Sequence, residues 1–114
     1  MNERDRQALD DIVEFAERAA RLVGHHPFES FVADEAVLYA VRYCILVIGE
    51  TANDLSSEAK AEVPGIPWPE IIAMRHRLAH NYRAITDRIV YDTVAEDIPL
   101  LLQAINAAMN PNRE

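Results

Sequence analysis

A single cysteine, Cys44, among 114 residues leaves no partner for a disulfide and no set of thiolates for zinc, so a disulfide framework and a cysteine-based zinc site are excluded and a reducing compartment fits. Glycine occurs only three times, and no glycine-rich loop of the kind that cradles nucleotide phosphates is present. Long apolar runs are also missing. The longest, residues 36–49, is interrupted by Arg42 and falls short of the roughly 20 residues a bilayer-crossing helix needs. The opening MNERDRQALDDIVEF is charged throughout and holds no apolar signal-peptide core, which predicts a cytoplasmic chain without a membrane partner. Basic residues are few: 11 Lys plus Arg face 19 Asp plus Glu, for a formal charge of −8. Such a balance argues against a general nucleic-acid coat, because neutralising phosphates takes lysine and arginine.

What is abundant is helix. Half of the residues are apolar and about a quarter are charged, an ordinary globular balance for one domain covering residues 1–114. Leu9, Ile12, Val13, Ala16, Ala19, Ala20 and Val23 recur at three- and four-residue steps, predicting a surface helix from Asp5 to Val23 with Gly24 as its stop. A second helix starts at Ser30 or Asp34, either of which can cap it, and runs through AVLYAVRYCILVIGETAND with apolar residues on nearly every side. Ser57 to Glu62 reads as a short capped helix. Pro64, Gly65, Pro67 and Pro69 stiffen the connector that follows, and Pro69 suits the first turn of a helix reaching Tyr82. A last helix, Arg88 to Met109, is capped by Thr86 or Asp87 and must bend or divide after Asp97, ahead of Pro99. Together these predict an all-α antiparallel bundle of four long helices plus a short one, its last helix kinked.

Charge is unevenly placed. Between Arg75 and Arg88 stand four arginines and one acid, a net +3, which leaves −11 on the rest of the chain. The same window holds the densest group of reactive side chains, MRHRLAHNY (Met74 to Tyr82). Three readings compete there. Arginines and histidines at a helix C-terminus suit the negative end of its dipole and need no function. His76 and His80, four apart, share a face with metal-binding spacing, but no HExxH pattern or third ligand accompanies them and the arginines would repel a cation. An anion site uses the same residues better: Arg75 can clamp a phosphate in bidentate fashion, and His80 can move protons near neutrality. Five residues turn an ideal helix through roughly 500°, which leaves Arg75 and His80 about 140° apart. One chain therefore builds a loose site unless the helix relaxes near Asn81 or a second copy completes it across a two-fold axis. That geometry favours a homodimer, with Tyr39, Tyr43 and Val47 as spare apolar residues for the contact.

Arg75-x4-His80-x-Tyr82 resembles the RX4HXY motif of the HepT toxins, a branch of the HEPN (higher eukaryotes and prokaryotes nucleotide-binding) superfamily. The resemblance extends to the AVLYAVRYCILVIGETAND helix, the Leu55-Ser56 turn, the connector with Pro64, Ile66, Pro67 and Trp68, and the Asp97-Ile98-Pro99-Leu100 step. His76 departs from relatives that carry asparagine there. The resemblance implies a HEPN-type bundle acting as a homodimeric, metal-independent endoribonuclease toxin, with no cofactor and no DNA partner, neutralised by a minimal nucleotidyltransferase antitoxin that transfers AMP from ATP to the motif tyrosine, here Tyr82. On that chemistry His80 serves general acid–base catalysis and Arg75 holds the scissile phosphate. Asn81 orients a neighbour, and Arg77 and Arg83 guide the RNA backbone. The alternative is a non-catalytic HEPN adaptor that binds a nucleotidyltransferase or a nucleotide.

Overall fold

The computed structural model describes residues 1–110, and every regular element within them is helical. The first helix, α1 (Glu3–Val23), begins because the Asn2 side chain accepts the Asp5 N–H at 2.7 Å, the usual way a first turn satisfies its free donors. It ends at Gly24, whose φ of 51° carries the chain out of the helix while its N–H still reaches the Ala20 carbonyl. Leu9, Ile12, Ala16, Ala19 and Val23 are all buried, so the periodic stripe read from the sequence is the packed stripe.

The stretch from Phe28 to Asn53 is two helices rather than one. A single-and-a-half-turn α2 (Phe28–Ala33) precedes α3 (Glu35–Asn53), with Asp34 extended between them at φ −96°, ψ 92°. Asp34 breaks the run because its carboxylate accepts the Val37 N–H at 3.2 Å, which holds its own backbone in the capping conformation. The fully buried Phe31 pins α2, packing against Tyr91, whose hydroxyl donates to the His26 carbonyl at 2.6 Å.

Helix α3 is the centre of the bundle, with α1 on one side and α5 (Trp68–His80) on another. Leu38, Val41, Cys44, Ile45, Ile48, Gly49 and Ala52 are its buried residues. Burial pushes the Cys44 thiol above its ordinary pKa. The short α4 (Ser57–Glu62) starts where Ser56 Oγ accepts the Ala59 N–H at 3.1 Å. Ser56 in turn donates to Asp5, through its N–H at 3.0 Å to Oδ1 and its hydroxyl at 2.6 Å to Oδ2, which ties α1 to the α3–α4 turn. Trp68 is buried, and its indole N–H donates to the Lys60 carbonyl at 3.3 Å, fastening the proline-rich connector to α4.

The last helical run divides as expected after Asp97. Thr86 caps α6 (Asp87–Asp92), a π turn follows over Thr93–Asp97, and α7 (Ile98–Met109) begins with Pro99 in its first turn. Pro99 has no N–H to offer, and in an unbroken α-helix its ring would strike the carbonyl four residues back. The wider turn removes the conflict: the Ile98 N–H bonds to the Thr93 carbonyl, five residues earlier.

Candidate functional site

The array read as reactive begins on α5. Pro69 stands in the first turn, where its missing N–H costs nothing. The helix stops at His80, two residues short of the expected end, because Asn81 swings to φ −151°, ψ 60° while its N–H still reaches the Arg77 carbonyl at 2.7 Å. Tyr82–Ala84 then forms one 3-10 turn. The backbone leaves the helix because the chain must return to the core at the buried Ile85. Arg42 of α3 secures that return, donating to the Ile85 carbonyl at 2.8 Å and to the Asp87 carboxylate at 2.7 Å.

These contacts sort the arginines of the basic window. Its one acid, Asp87, is taken by Arg42. Arg88 pairs with Asp92 at 3.2 Å and lies over the Phe28 ring. Arg77 and Arg83 are exposed, and among the described residues neither meets a carboxylate.

Arg75 is on the inner side of α5, against α3. The two helices touch backbone to side chain there: a Cβ placed on Gly49 would overlap the Arg75 Cβ and lie 3.0 Å from the Ile71 carbonyl oxygen. Glycine at 49 is what allows the approach. The next residue, Glu50, forms an ion pair with Arg75 Nη2, while Arg75 Nε is buried without a hydrogen-bond partner. The guanidinium is thus held along one edge, and its side chain keeps 27% exposure.

His80, Asn81, Tyr82 and Arg83 are all exposed, Tyr82 at 58%. The His80 ring rests on that of His76, centroids 4.7 Å apart. Among the described residues no hydrogen bond or ion pair joins Arg75 to His80, and no group of three or more His, Cys, Asp or Glu side chains is gathered for a metal ion. A cleft of about 260 Å³ between α3, the connector, α5 and α7 is mostly apolar, lined by Ile48, Ile66, Ile71, Met74 and Leu101 with Glu70 and Asp97 beside them, and excludes Arg75 and His80. Its size reflects incomplete cover of α5, whose Ile71, Ile72, Met74 and Leu78 are only half-buried.

Residues 7–108 match the family described as "Ribonuclease HepT-like". The chain belongs to that family. Among curated relatives, a protein of Thermococcus cleftensis named "Probable ribonuclease HepT" is 36% identical over 93 residues, covering 82% of this chain and 84% of the relative. Two proteins named "Putative RNase" are also similar, one of Methanocaldococcus jannaschii at 32% identity (87% of this chain, 83% of the relative) and one of Caldanaerobacter subterraneus subsp. tengcongensis at 29% (95% and 96%). No solved structure matches the chain. In this HepT-like chain the family span takes in α1 through nearly all of α7, including the whole Arg75–Tyr82 array. Glu50 and Gly49 are the site's unforeseen members. The sequence signal for them is a Gly-Glu pair late in an otherwise apolar helix, and only the crossing with α5 gives it meaning.

Proposed function

We propose that this HepT-like chain is the toxin of a toxin–antitoxin pair and cleaves RNA without a metal ion. The observation that carries the reading is the Arg75-x4-His80-x-Tyr82 array at the end of α5, with His80 and Tyr82 exposed and Arg75 partly so, in a chain that matches the ribonuclease family over residues 7–108. RNA brings its own nucleophile. His80 accepts the proton of a ribose 2′-hydroxyl as that oxygen attacks the adjacent phosphorus. The bond from phosphorus to the 5′-oxygen breaks, the leaving oxygen takes a proton, and the products are a 2′,3′-cyclic phosphate and a 5′-hydroxyl. Arg75 stabilises the charge that builds on the non-bridging oxygens, while Arg77 and Arg83 steer the backbone and Asn81 orients a neighbouring group. DNA lacks the nucleophile and is not a substrate.

Arg75 and His80 diverge around α5, and a second copy restores a converging pair. The dimer joins α3 and α5 of two protomers; Tyr39 and Tyr43 of α3, exposed at 58% and 59%, supply apolar contact. Control is covalent. A minimal nucleotidyltransferase antitoxin directs the Tyr82 hydroxyl onto the α-phosphorus of ATP; pyrophosphate leaves, the hydroxyl proton passes to solvent, and Tyr82 carries AMP. The added phosphodiester occupies the arginine clamp and repels incoming RNA, as phosphorylation would.

The test is incubation of purified protein with RNA in EDTA. Cleavage that survives chelation and disappears in folded Arg75→Ala and His80→Ala supports the enzyme. Activity abolished by EDTA alone sinks the metal-independent mechanism. RNA left intact by the wild-type protein, with the nucleotidyltransferase still bound, returns the adaptor reading in its place.

A further inference from the structure

Arg75 borders a second feature that the cleavage chemistry leaves unused. On the side of α5 toward its N-terminus, Arg75, His76 and Arg77 line an open depression of about 820 Å³, closed on its far side by Asn53 at the end of α3 and Lys60 of α4, with Trp68 in its floor. Lys60 is the only lysine in the chain. Among the described residues no carboxylate lines the depression, although the protein carries 19 acidic residues against 11 basic ones. Three permanent cations and an imidazole line it, and among the described residues only one of the cations, Arg75, meets a carboxylate, that of Glu50; on a protein of net −8 this is a local reversal of its field.

The depression is also built to last. The Lys60 carbonyl accepts both the Trp68 indole N–H at 3.3 Å and the Val63 N–H at 3.2 Å. Its helix is capped by Ser56, which the buried Asp5 holds. The Lys60 backbone is therefore fixed, while among the described residues its ammonium forms no ion pair. Arg77 is equally unpaired, and His76 leans on His80 with ring centroids 4.7 Å apart. Lys60, Arg75, His76 and Arg77 thus share one depression, and His76 carries its edge to His80.

We infer that this depression is a phosphate subsite for the single-stranded RNA flanking the scissile linkage, with Lys60, His76 and Arg77 as its contacts. Its open form suits a chain of phosphodiesters rather than an enclosed small molecule. Arg75 belongs both to the depression and to the array with His80 and Tyr82, so a strand held at Arg75 would meet Lys60 on one side of the cleaved bond and Tyr82 on the other. The inference rests on the RNA-cleaving reading and adds Lys60 and His76, which that reading leaves out, to Arg77.

The experiment compares wild type with Lys60→Gln on a labelled 12-nucleotide RNA and on a dinucleotide too short to reach Lys60. The wild-type preference for the longer substrate in kcat/KM shrinks about three- to tenfold in the variant, and the slope of log affinity on log salt becomes shallower by about 0.7. Lys60→Arg restores both. Arg6→Gln, which removes a cation from the exposed start of α1, changes neither, and matching thermal melts establish that Lys60→Gln is folded. Binding of the 12-mer to the His80→Ala variant separates the two readings. Lys60-dependent binding by a protein that never cleaves keeps the subsite and removes the nuclease. Cleavage with no loss of long-substrate preference in Lys60→Gln keeps the nuclease and removes the subsite. Neither binding nor cleavage removes both.

Discussion

Glu50 of α3 and Arg75 of α5 are ion-paired across the helix crossing, and the arginine is the less exposed partner, at 27% against 51% for the glutamate. With Nε buried and unpartnered, that carboxylate is the only polar contact of the guanidinium among the described residues. A half-exposed pair contributes about 1 kcal/mol or less to stability, so its importance lies in orientation. With Arg75 as the proposed phosphate clamp, Glu50→Ala is expected to melt within a few degrees of wild type yet to cleave about 10-fold more slowly, since a clamp free to change rotamer loses preorganisation. Glu50→Gln, which keeps an acceptor, falls between. Single-turnover cleavage checks it; a faster Glu50→Ala enzyme would make the pair a restraint on activity.

Gly49→Ala attacks the same crossing through the backbone. The added methyl overlaps the Arg75 Cβ and presses on the Ile71 carbonyl, and neither is the loose end of a flexible chain. Overpacking of this kind costs about 1–3 kcal/mol. A lower urea midpoint at unchanged slope is expected, together with loss of cleavage beyond that of Glu50→Ala. A midpoint equal to wild type would mean that α5 can retreat from α3 freely.

How much of this was legible in the chain depended on the range of the forces involved. The stripe Leu9, Ile12, Ala16, Ala19 and Val23 is local periodicity, and it reads directly. Pro99 announced the division after Asp97, since a missing N–H acts within one turn, although the π form of that turn depends on how the carbonyls re-pair. The separate α2 was not legible. Ser30 and Asp34 both had capping chemistry, and the choice is fixed by Phe31 packing on Tyr91, sixty positions away in sequence. Arg75, His80 and Tyr82 stood out through their spacing. Relaxation of the helix near Asn81 was one of two alternatives the spacing left open, and nothing in HNY itself chooses it; Arg42 holding Ile85 and Asp87 from α3 does. Glu50 was visible only as a charge on an apolar helix, since its partner lies across a long-range contact.

Asp5 gives the fold a pH dependence of known sign. The Ser56 hydroxyl, then the Ser56 N–H, hold its carboxyl below the ordinary value of 3.8, against burial that would raise it. A folded-state value below the unfolded one means that the unfolded chain binds the proton more readily, so the carboxylate stabilises above the unfolded value and that contribution fades as pH falls through the folded one. Asp5→Asn is expected to be less stable than wild type at pH 7, with the difference closing below about pH 4. Urea midpoints from pH 7 to pH 3 check it; a constant difference across that range would place the loss in shape rather than charge.

On the proposed function, Tyr82 separates activity from its control. Its side chain is 58% exposed and, among the described residues, makes no hydrogen bond through its hydroxyl. Tyr82→Phe therefore removes an oxygen on which the fold does not depend, and stability should stay within about 0.5 kcal/mol of wild type. Cleavage should persist, because Arg75 and His80 remain. With the nucleotidyltransferase and ATP present, the wild-type protein should gain AMP and lose activity while the Phe variant does neither. Intact-mass measurement decides the point independently of cleavage. A nucleotide found on Tyr82→Phe would move the acceptor to another side chain, and a Phe variant that no longer cleaves would move Tyr82 from the control of the site into its chemistry.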